Sequence, residues 1–222
     1  MLKGIIFDMD GTITLTEQLH YEAFNRVFRE HGVTDFTVEE EIKRFAGVGS
    51  RNTFTQVFKE REIVVSPEEI EKCMAKKKEL YKKIVQGSQI EAVAGAQDFI
   101  KRIHELGLKK IIATGNSDMQ IVRFILEKTG VNGYFPEILS ITEVAHGKPF
   151  PDVFIEAVKR LGLKPDECVV LEDAINGVEA AKAAGIRCIA LSTTTSREDL
   201  LKAGADEVVK DYNGISDEML NI

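Results

Sequence analysis

Short apolar runs cut off by Asp, Gly or Pro alternate along the chain with longer segments whose apolar residues recur at spacings of three and four. The first run, residues 2–7 (LKGIIF), stops at Asp8-Met9-Asp10-Gly11 and predicts a buried strand. The same signature recurs at 109–113 (KKIIA), 137–141 (EILSI), 168–171 (CVVL) and 187–191 (RCIAL), and more weakly at 207–209. Helical stripes lie between. Ala96, Phe99, Ile100, Ile103 and Leu106 form one that ends at Gly107, and Phe154, Ile155, Val158 and Leu161 form another between Pro151 and Gly162. Gly130 and Gly185 close two more. Strands alternating with helices of this length predict an α/β fold built on a doubly wound parallel sheet.

Residues 16–87 break the alternation, with helical patterns and no strand. A helix over 17–30 ends at His31-Gly32, and Ser66-Pro67-Glu68-Glu69 reads as a capping box opening a helix that runs to about Val85. The expected organisation is an α/β core of residues 1–15 and 88–222, with a small all-helical domain of residues 16–87 inserted after the first strand. Gly87, next to Ser88, suits a hinge between the two.

At 222 residues the chain is long enough to bury a core without covalent staples. Its usage, 44% hydrophobic and 29% charged, is that of an ordinary globular protein. A net charge of −7 argues against general nucleic-acid binding. No apolar run approaches the roughly 20 residues of a membrane helix, and the start of the chain lacks a signal peptide's apolar region. Cys73, Cys168 and Cys188 are scattered without a CxxC pair, so neither a disulfide framework nor a zinc site is expected. A cytoplasmic monomer acting on a small molecule, with no nucleic-acid or membrane partner, is the expectation.

Parallel sheets bind ligands beyond the carboxyl ends of their strands, so the residues after each strand are the candidates. They are Asp8-Met9-Asp10-Gly11-Thr12, then Thr114-Gly115-Asn116-Ser117, then Gly147-Lys148-Pro149, and finally Glu172-Asp173. Each alone has an ordinary reading as a turn, a solvated loop or a helix cap. Together they bring carboxylates, a hydroxyl and a lysine to one sheet edge. Asp8, Asp173 and Glu172 would repel one another without a divalent cation, and hard oxygen ligands favour magnesium. A carboxylate can act as nucleophile, a second acid two residues on can exchange protons, and Thr114 and Lys148 can hold phosphoryl oxygens. The chemistry these groups suit is phosphoryl transfer. A signalling receiver domain also gathers aspartates, a Thr and a Lys, but phosphorylates an Asp after an internal strand and carries no helical insert.

The set Phe7-Asp8-Met9-Asp10-Gly11-Thr12, Thr114-Gly115-Asn116, Lys148-Pro149 and Glu172-Asp173 resembles the four motifs of the haloacid dehalogenase-like phosphatase superfamily, across essentially the whole chain. The helical insert is similar to the cap of its sugar-phosphate phosphatase and beta-phosphoglucomutase branch. The resemblance implies a magnesium-dependent phosphatase of a small phosphorylated metabolite, with Asp8 as nucleophile and Asp10 as general acid/base. It implies magnesium on Asp8, the Asp10 main-chain carbonyl and Asp173, and phosphate on Thr114 and Lys148. Leu15 departs from the Asp usual in the branch. In the insert, Lys77 interrupts the apolar stripe of Ile70, Cys73, Met74, Tyr81 and Ile84. By period alone it snorkels to solvent, and His20, sharing a face with Ala23, Phe24 and Val27, is a core histidine. Both also match cap positions of beta-phosphoglucomutases, as Arg51 does in a loop one residue longer, so mutase activity is the alternative.

Overall fold

The computed structural model describes residues 1–221, and all six predicted strands form. They are β1 (Gly4–Phe7), β2 (Lys109–Thr114), β3 (Ile138–Ser140), β4 (Cys168–Glu172), β5 (Arg187–Leu191) and β6 (Glu207–Val209). All pair in parallel, in the order β3-β2-β1-β4-β5-β6. The order reverses direction between β1 and β4, which opens a crevice beyond their carboxyl ends. Phe7, the last residue of β1, lies opposite Leu171 of β4, so Asp8 and Glu172 leave the sheet side by side.

Helices cover both faces. In chain order they are α1 (Glu17–Glu30), α2 (Val38–Glu40), α3 (Ser50–Glu60), α4 (Pro67–Gly87), α5 (Ala96–Glu105), α6 (Met119–Lys128), α7 (Asp152–Leu161), α8 (Ile175–Ala183), α9 (Arg197–Lys202) and α10 (Asp217–Leu220). Because side chains alternate along a strand, Ile5, Phe7, Val169 and Leu171 pack on one face against α5 and α6. Ile6, Val170 and Cys188 pack on the other against α7 and α8. Leu106 and Ile155, at the edges of their stripes, are each 54% exposed. Among the described residues no helix is long and apolar enough to cross a membrane.

Helices α1, α3 and α4 bury a separate aromatic cluster of Phe24, Phe28, Phe36, Phe45, Phe54 and Phe58. A π-helical turn, Glu41–Phe45, comes after α2 and leads into the loop before α3. Ser66 caps α4 by accepting from the Glu69 amide at 3.2 Å, but the Glu69 carboxylate turns away to His31 and Lys72, leaving the capping box half made. Gly87 is the last residue of α4 rather than part of a linker, and Ser88, extended, is the residue that leaves the helix. The two chain crossings between insert and sheet also hold each other. Leu15 N donates to Glu91 O and Val93 N to Ile13 O, both at 2.9 Å.

Candidate active site

Asp8 comes directly after β1 and is 7% exposed. Lys148 Nζ donates to Asp8 Oδ1 at 2.5 Å and also to Glu172 Oε1. The second oxygen of Glu172 accepts from the backbone amides of Asp173 at 2.9 Å and Ala174 at 3.1 Å. Glu172 thus has both oxygens engaged and braces Lys148 against Asp8. Asp173 is fixed from the sheet side, Oδ1 accepting from Thr12 Oγ1 at 2.8 Å and Oδ2 from Thr194 Oγ1. Gly11 makes room for this carboxylate. At its φ of +83° a Cβ would sit 2.1 Å from Asp173 Oδ2, so no other residue fits.

Oxygen atoms of Asp8, Glu172 and Asp173 lie within 4.8 Å of one another, all three residues buried. Burial pushes the Asp8 carboxyl well above its usual range, Lys148 opposing and Glu172 and Asp173 adding to the rise. Burial and Glu172 likewise lift Asp173 to about 7, against its threonine hydrogen bonds. Burial would lower Lys148, but Asp8 and Glu172 outweigh it and hold the ammonium protonated. Three carboxylates against one lysine leave an excess of buried negative charge, and a divalent cation among hard oxygen donors fits that excess.

Asp10 faces the insert. Its Oδ1 accepts from Thr16 Oγ1 at 2.5 Å and lies 3.3 Å from His20 Nε2, outside hydrogen-bond alignment. Lys77 Nζ donates to His20 Nδ1 at 2.9 Å and sits over the rings of Phe24 and Tyr81 at 4.4 and 4.9 Å. Lys77 is 6% exposed, so the snorkelling reading is wrong: the stripe is interrupted because the lysine points inward at His20. His20 stacks on Tyr81 with ring centroids 4.0 Å apart. Burial would raise Asp10, yet His20, Thr16 and Lys77 together bring it below its ordinary value. Burial and Lys77 in turn lower His20, with Asp10 opposing.

The loop before α3 lies on top. Gly47, at φ +75°, approaches so closely that a Cβ there would lie 2.8 Å from the Lys148 side chain. Asn176 Nδ2 donates to Arg44 O and Ala46 O, both at 3.2 Å, and fastens this loop to α8. Under it, a void of about 40 Å³ is lined by Asp8, Asp10, Glu17, Gly47, Lys148 and Glu172 among others, room for one water. Gly115 borders both this void and a cavity of about 520 Å³ between insert and sheet, where His20, Arg51, Lys77 and Asn116 also line the wall.

Thr114 is fully buried, its Oγ1 accepting from Asn116 N at 3.0 Å. Asn116 is held through its carbonyl by Ser140 Oγ at 2.9 Å, while its Nδ2 has no partner among the described residues. Arg51 sits at the rim, half exposed and paired with Glu71 of α4, away from the carboxylates. Sequence reasoning singled out neither Thr16 nor Thr194. Thr194 stands in the run 193–195 (TTT) after β5, so the strand-end rule would reach it once applied to that strand. Glu17 and Glu41, buried at 8% and 5% exposure on the insert side, carry no signal in the helical period.

The chain matches the haloacid dehalogenase-like hydrolase family over residues 5–191. It is 30% identical over 223 residues to a phosphorylated carbohydrates phosphatase of Thermotoga maritima, covering 100% of this chain and 98% of that one. Among solved structures, CbbY from Rhodobacter sphaeroides in complex with xylulose-(1,5)bisphosphate superposes with a TM-score of 0.83 at 28% identity, over 97% of both chains. A putative beta-phosphoglucomutase from Bacteroides vulgatus gives 0.83 at 28% identity, over 95% of this chain and 84% of that one. With this match and the carboxylates at the β1 and β4 ends, the chain belongs to the haloacid dehalogenase-like hydrolases, as a phosphoric monoester hydrolase.

Proposed function

We propose that this enzyme is a magnesium-dependent phosphatase of small phosphorylated metabolites, with sugar phosphates as its substrate class. The observation that carries the reading is the buried Asp8–Lys148–Glu172–Asp173 set with Asp10 beside it, next to a cavity of about 520 Å³ walled partly by the insert. The carbohydrate and xylulose bisphosphate chemistry named for two similar proteins supports the substrate class. Residues 16–87 act as a cap over a core of 1–15 and 88–222.

Asp8, Asp173 and the Asp10 main-chain carbonyl would hold Mg²⁺. Bound there, it would offset the clustered negative charge of carboxylates and phosphoryl group. Asp8 attacks phosphorus through a carboxylate oxygen, and the P–O bond to the sugar breaks. Asp10 gives the leaving oxygen its proton, then takes one from the water that attacks the aspartyl phosphate. That second displacement releases inorganic phosphate and restores Asp8. Lys148 and Thr114, with the backbone at Gly115 and Asn116, hold the phosphoryl oxygens as charge builds. Glu172 keeps Lys148 in place. His20 and Lys77 orient Asp10 from the cap, so its correct placement requires the cap to be seated.

A phosphate-release screen over a panel of phosphorylated metabolites with Mg²⁺ tests this. Sugar phosphates should be turned over well above a generic aryl phosphate, and absence of phosphate release from every monoester would overturn the reading. The Lys77–His20–Asp10 chain, together with the similarity to a putative beta-phosphoglucomutase, favours mutase activity as the second reading. Incubation with beta-glucose 1-phosphate and a trace of its bisphosphate separates the two. Glucose 6-phosphate as main product establishes the mutase, and free phosphate the hydrolase.

A further inference from the structure

Far from the catalytic carboxylates, the cap brings together three side chains of different chemistry. His31 ends α1, while Glu69 and Cys73 stand one turn apart at the start of α4. His31 Nε2 lies 3.3 Å from Glu69 Oε1 and 3.6 Å from Cys73 Sγ. One ligand atom from each falls within 4.8 Å of the others. Cys73 is 2% exposed, whereas the His31 and Glu69 side chains, at 21% and 36%, border solvent.

The other ring nitrogen decides what Nε2 can do. His31 Nδ1 is 3.0 Å from the Val27 carbonyl, which can only accept, so Nδ1 carries the hydrogen. Nε2 is then the ring nitrogen that faces the carboxylate oxygen and the sulfur. A carbonyl fixing the far nitrogen of the ring is the arrangement that orients histidine ligands on metals. The spacings agree. With Zn–N and Zn–O near ~2.0–2.2 Å and Zn–S near ~2.3 Å, the edges of a tetrahedral site come to ~3.5–3.6 Å for N···S and ~3.3–3.5 Å for N···O. Lys72 Nζ sits 3.1 Å from the second Glu69 oxygen and so does not compete for Oε1.

We propose that His31, Glu69 and Cys73 form a zinc site in the cap, with the fourth position open to solvent. The mixed nitrogen, oxygen and sulfur set selects a borderline-soft ion over magnesium. Binding replaces the Cys73 thiol hydrogen, which leaves to solvent as one proton per ion. The ion would tie the end of α1 to the start of α4, the two helices that carry His20 and Lys77 into the catalytic site. No cysteine spacing announces such a site, because its ligands are 38 and 42 residues apart from His31.

The test titrates the full-length enzyme, saturated with Mg²⁺, with Zn²⁺ against a chromophoric chelator, and repeats the titration with Co²⁺. One tight ion per chain is expected, with a thiolate-to-cobalt charge-transfer band and tetrahedral cobalt bands. His31→Gln and Cys73→Ser should each weaken binding on the order of 100-fold or more. Glu69→Gln, on the helix surface, should weaken it without disturbing the fold, and serves if either buried variant fails to fold by circular dichroism. Equal affinity in wild type and variants, absence of a tight ion, or a cobalt spectrum lacking the thiolate band would each overturn the proposal.

Discussion

Lys148 Nζ and Asp8 Oδ1 lie 2.5 Å apart across 140 residues of sequence, and both side chains are almost wholly buried. Burial raises the Asp8 carboxyl well above its ordinary range, and the lysine opposes that rise by favouring the ionised form. In the proposed reaction the same ammonium would stand beside the phosphoryl oxygens as they gather charge. Replacing Lys148 by Met should lower kcat/KM by roughly 10²–10³. Phosphate-release kinetics at fixed Mg²⁺ check this, and near wild-type turnover would show that Lys148 serves only packing.

Chelation should abolish activity, and Mg²⁺ should restore it better than Ca²⁺. Calcium takes more ligands at longer distances and would draw Asp8 into its shell, occupying the oxygen that attacks. Full turnover in excess chelator would contradict the reading of the Asp8, Glu172 and Asp173 cluster as a cation site.

Lys77 lowers the Asp10 carboxyl from within the insert through its charge, adding to the larger effects of His20 and Thr16. Lys77→Met keeps the volume and removes the charge, so the Asp10 pKa should rise. The limb of the pH–rate profile set by Asp10 then moves to higher pH, for a sugar phosphate and a small aryl phosphate alike. A KM increase for the sugar phosphate alone, with an unmoved profile, would assign Lys77 to substrate binding instead.

Glu41 gives a prediction that needs no substrate. Burial lifts its carboxyl from 4.5 to about 8, with Lys77 opposing, and its Oε2 has no partner among the described residues. Between about pH 4.5 and 8 the folded chain therefore holds a proton that the unfolded chain has released. Stability contributed by this group falls as pH rises through that window. Glu41→Gln removes the effect, so the variant should gain on wild type by up to ~1.4 kcal/mol per pH unit there. Denaturant melts of both proteins at several pH values measure the difference. A difference independent of pH would mean Glu41 is ionised throughout.

The strands and the strand-end motifs were legible because a buried parallel strand must be an apolar run, and the residues just past its carboxyl end must be polar to face a ligand. Asp8 and Asp173 obey that rule directly after β1 and β4, Thr114 is the last residue of β2, and Lys148 comes from the loop that follows β3. Thr16 was not legible, since a threonine before a helix reads as an N-cap, yet here its hydroxyl donates to Asp10. Lys77 misled for a related reason. Periodicity marks a charged residue on an apolar face as an exception but cannot say whether it turns outward to water or inward to His20. Gly87 read as linker because glycine disfavours helix, and the packing of α4 carries the helix through it.

Covalent catalysis by Asp8 requires an aspartyl phosphate that can be trapped. Turnover of a sugar phosphate is quenched in acid, the acyl phosphate reduced with borohydride, and the peptides mass-mapped. The modification is expected at Asp8 alone and absent from Asp8→Asn, whose turnover should fall by at least roughly 10³. Modification at another residue, or none while Asp8→Asn retains more than about one per cent of activity, would contradict it.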